Sequence, residues 1–150
     1  MPNPGREQFS VVPIGYVRSG FRDYAPSDEM RREQSTIVVH PEFTDGLMGL
    51  EPGDQILTLF LLHRAVTKGY DLLLHPGHNP ANPIRGVFAT RSQYRPNFIA
   101  ATVARILDVR VDESSGEGIV DVVDLDAQDG SPVIDIKRHS AGFDLGIEAR

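Results

Sequence analysis

At 150 residues and 40% hydrophobic content, the chain can form one domain with its own core, burying roughly 68–70% of its unfolded surface. It has no cysteine, which excludes disulfides, cysteine-ligated zinc and thiol catalysis, and no apolar run approaches the ~20 residues of a membrane span. The formal charge of −6, from 21 acids against 15 basic residues, is a poor footprint for nucleic acid, and only clustered arginines would leave an RNA partner open.

Residues 1–10 are polar, with Pro2, Pro4 and Gly5, unlike the charged-then-apolar pattern of a signal peptide. They are expected to be a loose tail on a cytoplasmic protein, with the domain over 11–139 and a C-terminal tail over 140–150. Val11 to Val17 is rich in β-branched residues, and Pro13 marks an edge or a strand start. Ser19 to Gln34 is polar and irregular and reads as a loop or lid. Ser35 to His40 is a second strand. From Pro41 to Leu50, apolar Phe43, Leu47 and Leu50 recur at spacings of four and three, which predicts a short helix opened by Pro41. Pro52-Gly53-Asp54 is a turn. Gln55 to Leu62 is apolar almost throughout, the pattern of a central strand buried on both faces, and it ends at His63-Arg64.

Lys68 to Arg85 holds His75 and His78, three apart, with His63 and His40 elsewhere. That raises a zinc site, but the prolines and Gly77 deny a helical His-x-x-His face and no metalloprotease motif accompanies them, so no metal is expected. The segment reads as a proline-rich crossover. Gly86 to Ile99 then starts as a short apolar run suited to a strand and turns at Thr90 into a polar loop. Pro96 stiffens that loop and pushes Arg95 towards an extended conformation. Arg91 and Arg95 carry planar donor forks that fit carboxylate or phosphate, which suggests an anionic ligand; a surface hairpin paired with nearby acids is the alternative. Ala101 to Val111 is a half-buried strand with Val103, Leu107, Val109 and Val111 on one face. After a polar hairpin loop from Asp112, Gly118 to Val123 returns as its partner. A turn through Leu125 to Gly130 leads into a last strand, Pro132 to Ile136. Evenly spaced strands with many Gly/Pro turns predict an all-β barrel or a mainly β domain.

The motif Gly-Val-Phe-Ala-Thr-Arg-Ser-x-x-Arg-Pro-Asn from Gly86, followed by Leu125-Asp126-Ala127-Gln128-Asp129-Gly130-Ser131-Pro132-Val133-Ile134-Asp135-Ile136-Lys137, resembles the TsaA-like (YaeB, TrmO) family. Pro13 to Ser19 matches that family's first strand, and the resemblance runs from Ile14 to Lys137. It implies a compact single-domain β-barrel with short helices and long loops rather than a Rossmann sheet, consistent with the lack of a Gly-x-Gly-x-x-Gly turn. It also implies S-adenosylmethionine as cofactor, methylation of N6 in threonylcarbamoyl-adenosine of tRNA, and a homodimer, since family members pair to complete their pockets.

The resemblance carries over to particular residues. Ala25-Pro26-Ser27-Asp28 falls where the family has a turn approaching the cofactor, with Ser27 and Asp28 replacing Arg and Gln; an ordinary surface loop is the other reading. His63 falls on a cofactor-lining histidine. Arg64 replaces a glutamine, and either pairs with the cofactor carboxylate or faces solvent. The turn Leu125-Asp126-Ala127-Gln128 supplies backbone groups for an adenine edge, while Asp126 attracts the sulfonium, accepts from a hydroxyl or amine, or caps the turn. Arg91 and Arg64 are the candidates for clamping the carboxylate. Asp135, expected on one face with Val133 and Lys137, makes Asp135 and Lys137 candidate acceptor-side groups or a surface ion pair. Arg95 and Asn97 are expected to meet the acceptor. The family's Arg-Pro-Asn-Pro-Ile-Gly is here Arg95-Pro96-Asn97-Phe98-Ile99-Ala100, and that change opens two alternatives: a small-molecule acceptor, or a non-catalytic S-adenosylmethionine-binding module.

Overall fold

Six antiparallel strands close into a barrel in a computed structural model that describes residues 4–147. They are β1 (Gly15–Arg18), β2 (Ser35–Val39), β3 (Gln55–Leu61), β6 (Ile99–Val111), β7 (Gly118–Val123) and β8 (Pro132–Arg138), neighbouring in the order β1-β2-β7-β6-β3-β8. A two-stranded ladder, β4 (Leu73–Leu74) with β5 (Arg85–Gly86), lies outside the barrel. The expected mainly β barrel is what forms. The connections 19–34, 62–98 and 124–131 gather at one end and carry most of the irregular chain.

The interior holds Val17, Ile37, Ile56, Phe60, Ile106 and Val122, all essentially inaccessible. Burying a side chain of this kind contributes about 1.5–3 kcal/mol, so this set anchors the barrel. At the far end, Pro41–Leu47 winds as a 3-10 helix, as its proline start suggested, and sends Leu47 into the core.

Several expectations need correcting. β3 is not buried on both faces: Ile56, Thr58 and Phe60 point inwards, while Leu57, Leu59 and Leu61 stay half-exposed outside. A closed barrel gives each strand one inner face, and no helical layer covers the outer one. On β6 the inward residues are Ala104 and Ile106, not the predicted row of Val103 and Leu107, because the register sets Ala104 opposite Ile56. A register shift between Ile106 and Asp108 then turns Val109 towards the core. A similar shift skips Ile134 in β8, so Val133 is buried and does not share a face with Asp135. β-bulges of this kind reset a strand's alternation, and a strict period of two cannot anticipate them. β1 begins at Gly15, leaving Val11 and Val12 exposed. The lid segment 19–34 contains a helix, α1 (Ser27–Arg32), and Val87–Ala89 is a 3-10 turn rather than a strand. A helical turn, α2 (Ala141–Asp144), lies in the segment expected as a C-terminal tail, and residues 1–3 of the N-terminal tail and 148–150 fall outside the described residues.

The barrel closes on a short seam. β1 and β8 share two register pairs, Gly15↔Val133 and Tyr16↔Pro132. The seam is extended by Ile14 N→Val133 O (2.8 Å), Val17 N→Ser131 O (2.9 Å) and Gly130 N→Val17 O (2.7 Å).

Candidate active site

The mouth of the barrel opens into a cleft of about 890 Å³. Its floor is apolar, from Phe60 and Leu62 at the end of β3 and Met30 of α1. One wall is the turn after β7, with Asp126 and Gln128; the other is the 71–94 segment. Such a volume lies within the about 300–1,000 Å³ of small-molecule sites.

α1 is positioned by its sequence. Asp28 and Glu29 sit in its first turn and Arg31 and Arg32 in its last, in accord with the helix dipole. Met30 is buried, and Arg31 joins α1 to the turn after β7: its Nε donates to Asp124 O (3.2 Å), while Asp124 N donates to Arg31 O (3.0 Å). Asp126 completes the link. Its carboxylate accepts from Ser27 Oγ (2.8 Å) and from Thr102 Oγ1 on β6 (2.6 Å), which ties α1 to the barrel floor. Leu125 and Ala127, alternating with Asp126, are buried and hold the turn. The backbone N–H groups of Leu125, Asp126, Ala127 and Gln128 make no hydrogen bond within the described residues. Unpaired donors on a turn anchored this firmly are free for a ligand.

The Gly86–Ile99 loop is built from its own hydroxyls and one arginine. Thr90 Oγ1 donates to Val87 O (2.8 Å) and accepts from Ser92 N (3.2 Å); Ser92 Oγ accepts from Tyr94 N (3.2 Å). Arg95 spans the loop, giving Nε to Ser92 O (2.9 Å) and Nη2 to Val87 O (2.8 Å) and Thr90 O (2.6 Å). Arg91 lines the cleft and uses Nη1 on Ala101 O (2.6 Å), and the rest of its five donors are unengaged among the described residues. Asn97 and Phe98 follow with φ of 65° and 53°. Proline holds φ near −65°, so Phe98 takes a path closed to the proline of the resembled motif, at a cost of about 1–3 kcal/mol for left-handed backbone. Phe98 is held there by Phe98 N→Arg95 O (3.0 Å) and Leu62 N→Phe98 O (2.8 Å).

The structure brings Ser27, Arg91, Asp126 and Gln128 into one cleft and leaves other candidates outside it. Leu125 and Ala127 serve the turn through backbone and burial. Pro26 is the residue before α1, and Asp28 pairs with Arg32 on its exposed side (3.5 Å). Arg64 pairs with exposed Asp23 (3.7 Å). Arg95 braces the loop through Nε and Nη2, and Asn97 is an exposed turn residue; neither lines the cleft. Asp135 and Lys137 pair with each other (2.6 Å) on the outside of β8, and Asp135 borders a smaller hollow, about 490 Å³, at the far end of the barrel. Sequence reasoning passed over Tyr24, Asp71, Arg85 and Thr102. Thr102 carried a readable signal: it lies in register with Thr58, and both interrupt inward rows that are otherwise apolar. No group of three or more metal-ligating side chains occurs among the described residues.

His63 is half-buried and does not line the cleft, and its buried Nδ1 makes no hydrogen bond of good geometry among the described residues. Burial, and then the Arg64 charge beside it, pushes its imidazole below its ordinary value. A histidine depressed on folding contributes stability that is complete above the unfolded value of about 6.5 and declines as pH falls below it. Melting temperature is therefore expected to fall between neutral and mildly acidic pH, and His63→Gln to flatten that fall. An unchanged slope in the variant would locate the acid sensitivity elsewhere.

Residues 18–145 match the family described as the tRNA-methyltransferase O N-terminal domain. The protein PH1056 of Pyrococcus horikoshii, named a probable S-adenosyl-L-methionine-binding protein, is 36% identical over 144 residues, covering 95% of this chain and 90% of that one. An S-adenosyl-L-methionine-binding protein of Archaeoglobus fulgidus is 36% identical over 137 residues, covering 89% and 91%. The crystal structure of TrmO from Pseudomonas aeruginosa superposes with a TM-score of 0.68 at 30% identity, over 96% of this chain and 62% of that one, so the chain spans less than two thirds of the solved protein.

Proposed function

Because the chain belongs to the tRNA-methyltransferase O N-terminal-domain family, we propose that it is an S-adenosylmethionine-dependent methyltransferase acting on N6 of threonylcarbamoyl-adenosine in tRNA. The observation that carries this reading is the cleft at the barrel mouth, where an arginine, a hydroxyl-clamped carboxylate and a turn of unpaired N–H groups surround an apolar floor. Those groups fit the cofactor's parts. The turn 125–128 offers donors to an adenine edge, Arg91 offers a fork to the methionine carboxylate, and Asp126 offers negative charge to a sulfonium. S-adenosylmethionine supplies an electrophilic methyl group when bound. The chain's own part is alignment over an apolar floor, and removal of the acceptor's N–H proton. Asp71 lines the cleft with no ion pair or side-chain hydrogen bond among the described residues, and it is the carboxylate available for that proton.

Transfer of labelled methyl from the cofactor into threonylcarbamoylated tRNA tests the acceptor. A cofactor-loaded protein that labels small metabolites instead would favour the second reading, a small-molecule acceptor, which the net charge of −6 and the rerouted Phe98 support. Binding without turnover on either would leave a sensing module. No helix among the described residues is long and apolar enough to cross a membrane; a tRNA acceptor assigns its work to the cytoplasm.

Arg91→Ala is expected to weaken cofactor binding about ten- to a hundredfold, the loss of about 1.5–3 kcal/mol from a charge-assisted bond, with little change in melting temperature. Calorimetric titration with the demethylated product measures it, and wild-type affinity in the variant would remove Arg91 from the clamp.

A homodimer completes this reading. Phe88 is 80% exposed and Leu73 69%, and Leu72 and Ile84, which flank the two strands of the outer ladder, are exposed as well. An apolar cluster of this kind on a monomer marks an interaction surface. Sedimentation equilibrium is expected to give the mass of two chains; a monomer at working concentration with cofactor present would dismiss the pairing.

A further inference from the structure

We propose that Arg85 reads a carboxylate on the methyl acceptor, and so selects the modified nucleoside over plain adenosine. The inference rests on the methyltransferase reading above. Two guanidinium groups, Arg85 and Arg91, line one cleft. The cofactor carries one carboxylate, and Arg91, aimed by its bond to Ala101 O, is placed to answer it. Arg85 comes from a different element, β5, where it sits opposite Leu74 in the outer ladder. Its side chain makes no hydrogen bond or ion pair among the described residues, although two acids line the same cleft. Asp126 is already engaged by two hydroxyls, and Asp71 forms no ion pair among the described residues.

An exposed arginine is ordinarily a solvated one, and what distinguishes Arg85 is how it is carried. The strap before it is braced by its own bonds: His75 Nδ1 with Asn82 O (2.7 Å), Asn82 Nδ2→Pro76 O (2.8 Å) and Ala81 N→Asn79 Oδ1 (3.0 Å). On its far side Val87 is buried and gives its N–H to Leu72 O (2.9 Å). The guanidinium is thus carried to the cleft by a stiff support that belongs to the 71–94 wall and not to the 125–128 turn. The threonyl carboxylate is attached through the nitrogen that would receive the methyl group, so an acceptor seated over the cleft brings nitrogen and carboxylate in together. A planar fork fits that carboxylate with two parallel bonds, and a site built to pair a polar group rejects the analogue that lacks it.

The test compares two tRNAs, one carrying the threonylcarbamoyl group and one whose carboxylate has been converted to the carboxamide. Wild type is expected to prefer the carboxylate by roughly ten- to a hundredfold in kcat/KM. Arg85→Ala is expected to lose that preference and treat both alike, with unchanged cofactor affinity, and Arg85→Lys to recover part of it. Equal losses on both tRNAs, with a shallower salt dependence, would make Arg85 a phosphate contact and overturn the proposal, as would no change at all. Calorimetric binding of the corresponding free nucleosides, with the demethylated cofactor present, reads the contact independently of turnover. A carboxylate preference there that disappears in Arg85→Ala supports the proposal even if no methyl is transferred, in which case only the reaction assignment fails. No preference in wild type overturns it.

Discussion

Gly15→Ala is expected to unfold the barrel or to cost roughly 4 kcal/mol or more, the range reserved for exceptional substitutions. A Cβ at Gly15 would drive into the carbonyl oxygen of Val38, a backbone atom of the paired strand. Gly15 is also in register with Val39 on β2 and Val133 on β8, so neither neighbour can move aside without opening the wall. Gly118 is the instructive contrast, because the atom its Cβ would meet most closely is the side-chain Cδ1 of Leu47, which can rotate away. Urea titration of Gly15→Ala beside Gly20→Ala, where no atom lies within 4 Å, isolates the effect. Equal midpoints for the two would show that β1 can shift outward at no cost.

Arg95→Ala is expected to be the most damaging change in the 86–99 loop, costing about 3 kcal/mol. Three partly buried carbonyls lose a charged donor at once; Val87 O keeps its bonds from Thr90 N and Oγ1, but Thr90 O and Ser92 O are left unsatisfied, at about 1–3 kcal/mol each before relaxation. Since the loop also holds Arg91 at the cleft, cofactor affinity falls with it, at least as far as in Arg91→Ala. Hydrogen exchange at 90–98 together with calorimetric titration reads both effects. A variant that binds cofactor like wild type yet fails only on the acceptor would return Arg95 to the acceptor role its motif suggests.

The two arginines show where sequence reading stops. The motif marks both arginines as important, but which one faces a ligand depends on where the carbonyls of Val87, Thr90 and Ser92 point, and those directions are set by the tertiary path of the loop. The barrel itself was legible, because β2, β7 and the turns at 52–54 and 124–131 carry strong local signals. The inner faces of β6 and β8 were not, because single-residue register shifts leave no mark in composition. Asp135 was misplaced relative to Val133 for that reason, and it pairs with Lys137 on the outer face, away from the cleft. Asp126 stands in a turn that the sequence marks, but its two hydroxyl partners, Ser27 and Thr102, lie far from it in sequence and only meet it on folding.

The two-pair seam between β1 and β8 sets a kinetic order for the chain. The β6–β7 hairpin closes over the short 112–117 connection and can form within microseconds. The seam must instead bring together the two ends of the domain, paying the largest loop-closure entropy for the smallest return in pairing. A topology so dominated by distant contacts belongs with the slow folders, on the millisecond-to-second scale. The seam is then expected to form last and to part first. Since Ser131 of this joint also borders the cleft, an occupied cleft is expected to act as a latch. Ligand should slow unfolding far more than it speeds folding, and a chevron plot in which both limbs moved equally would remove that latch.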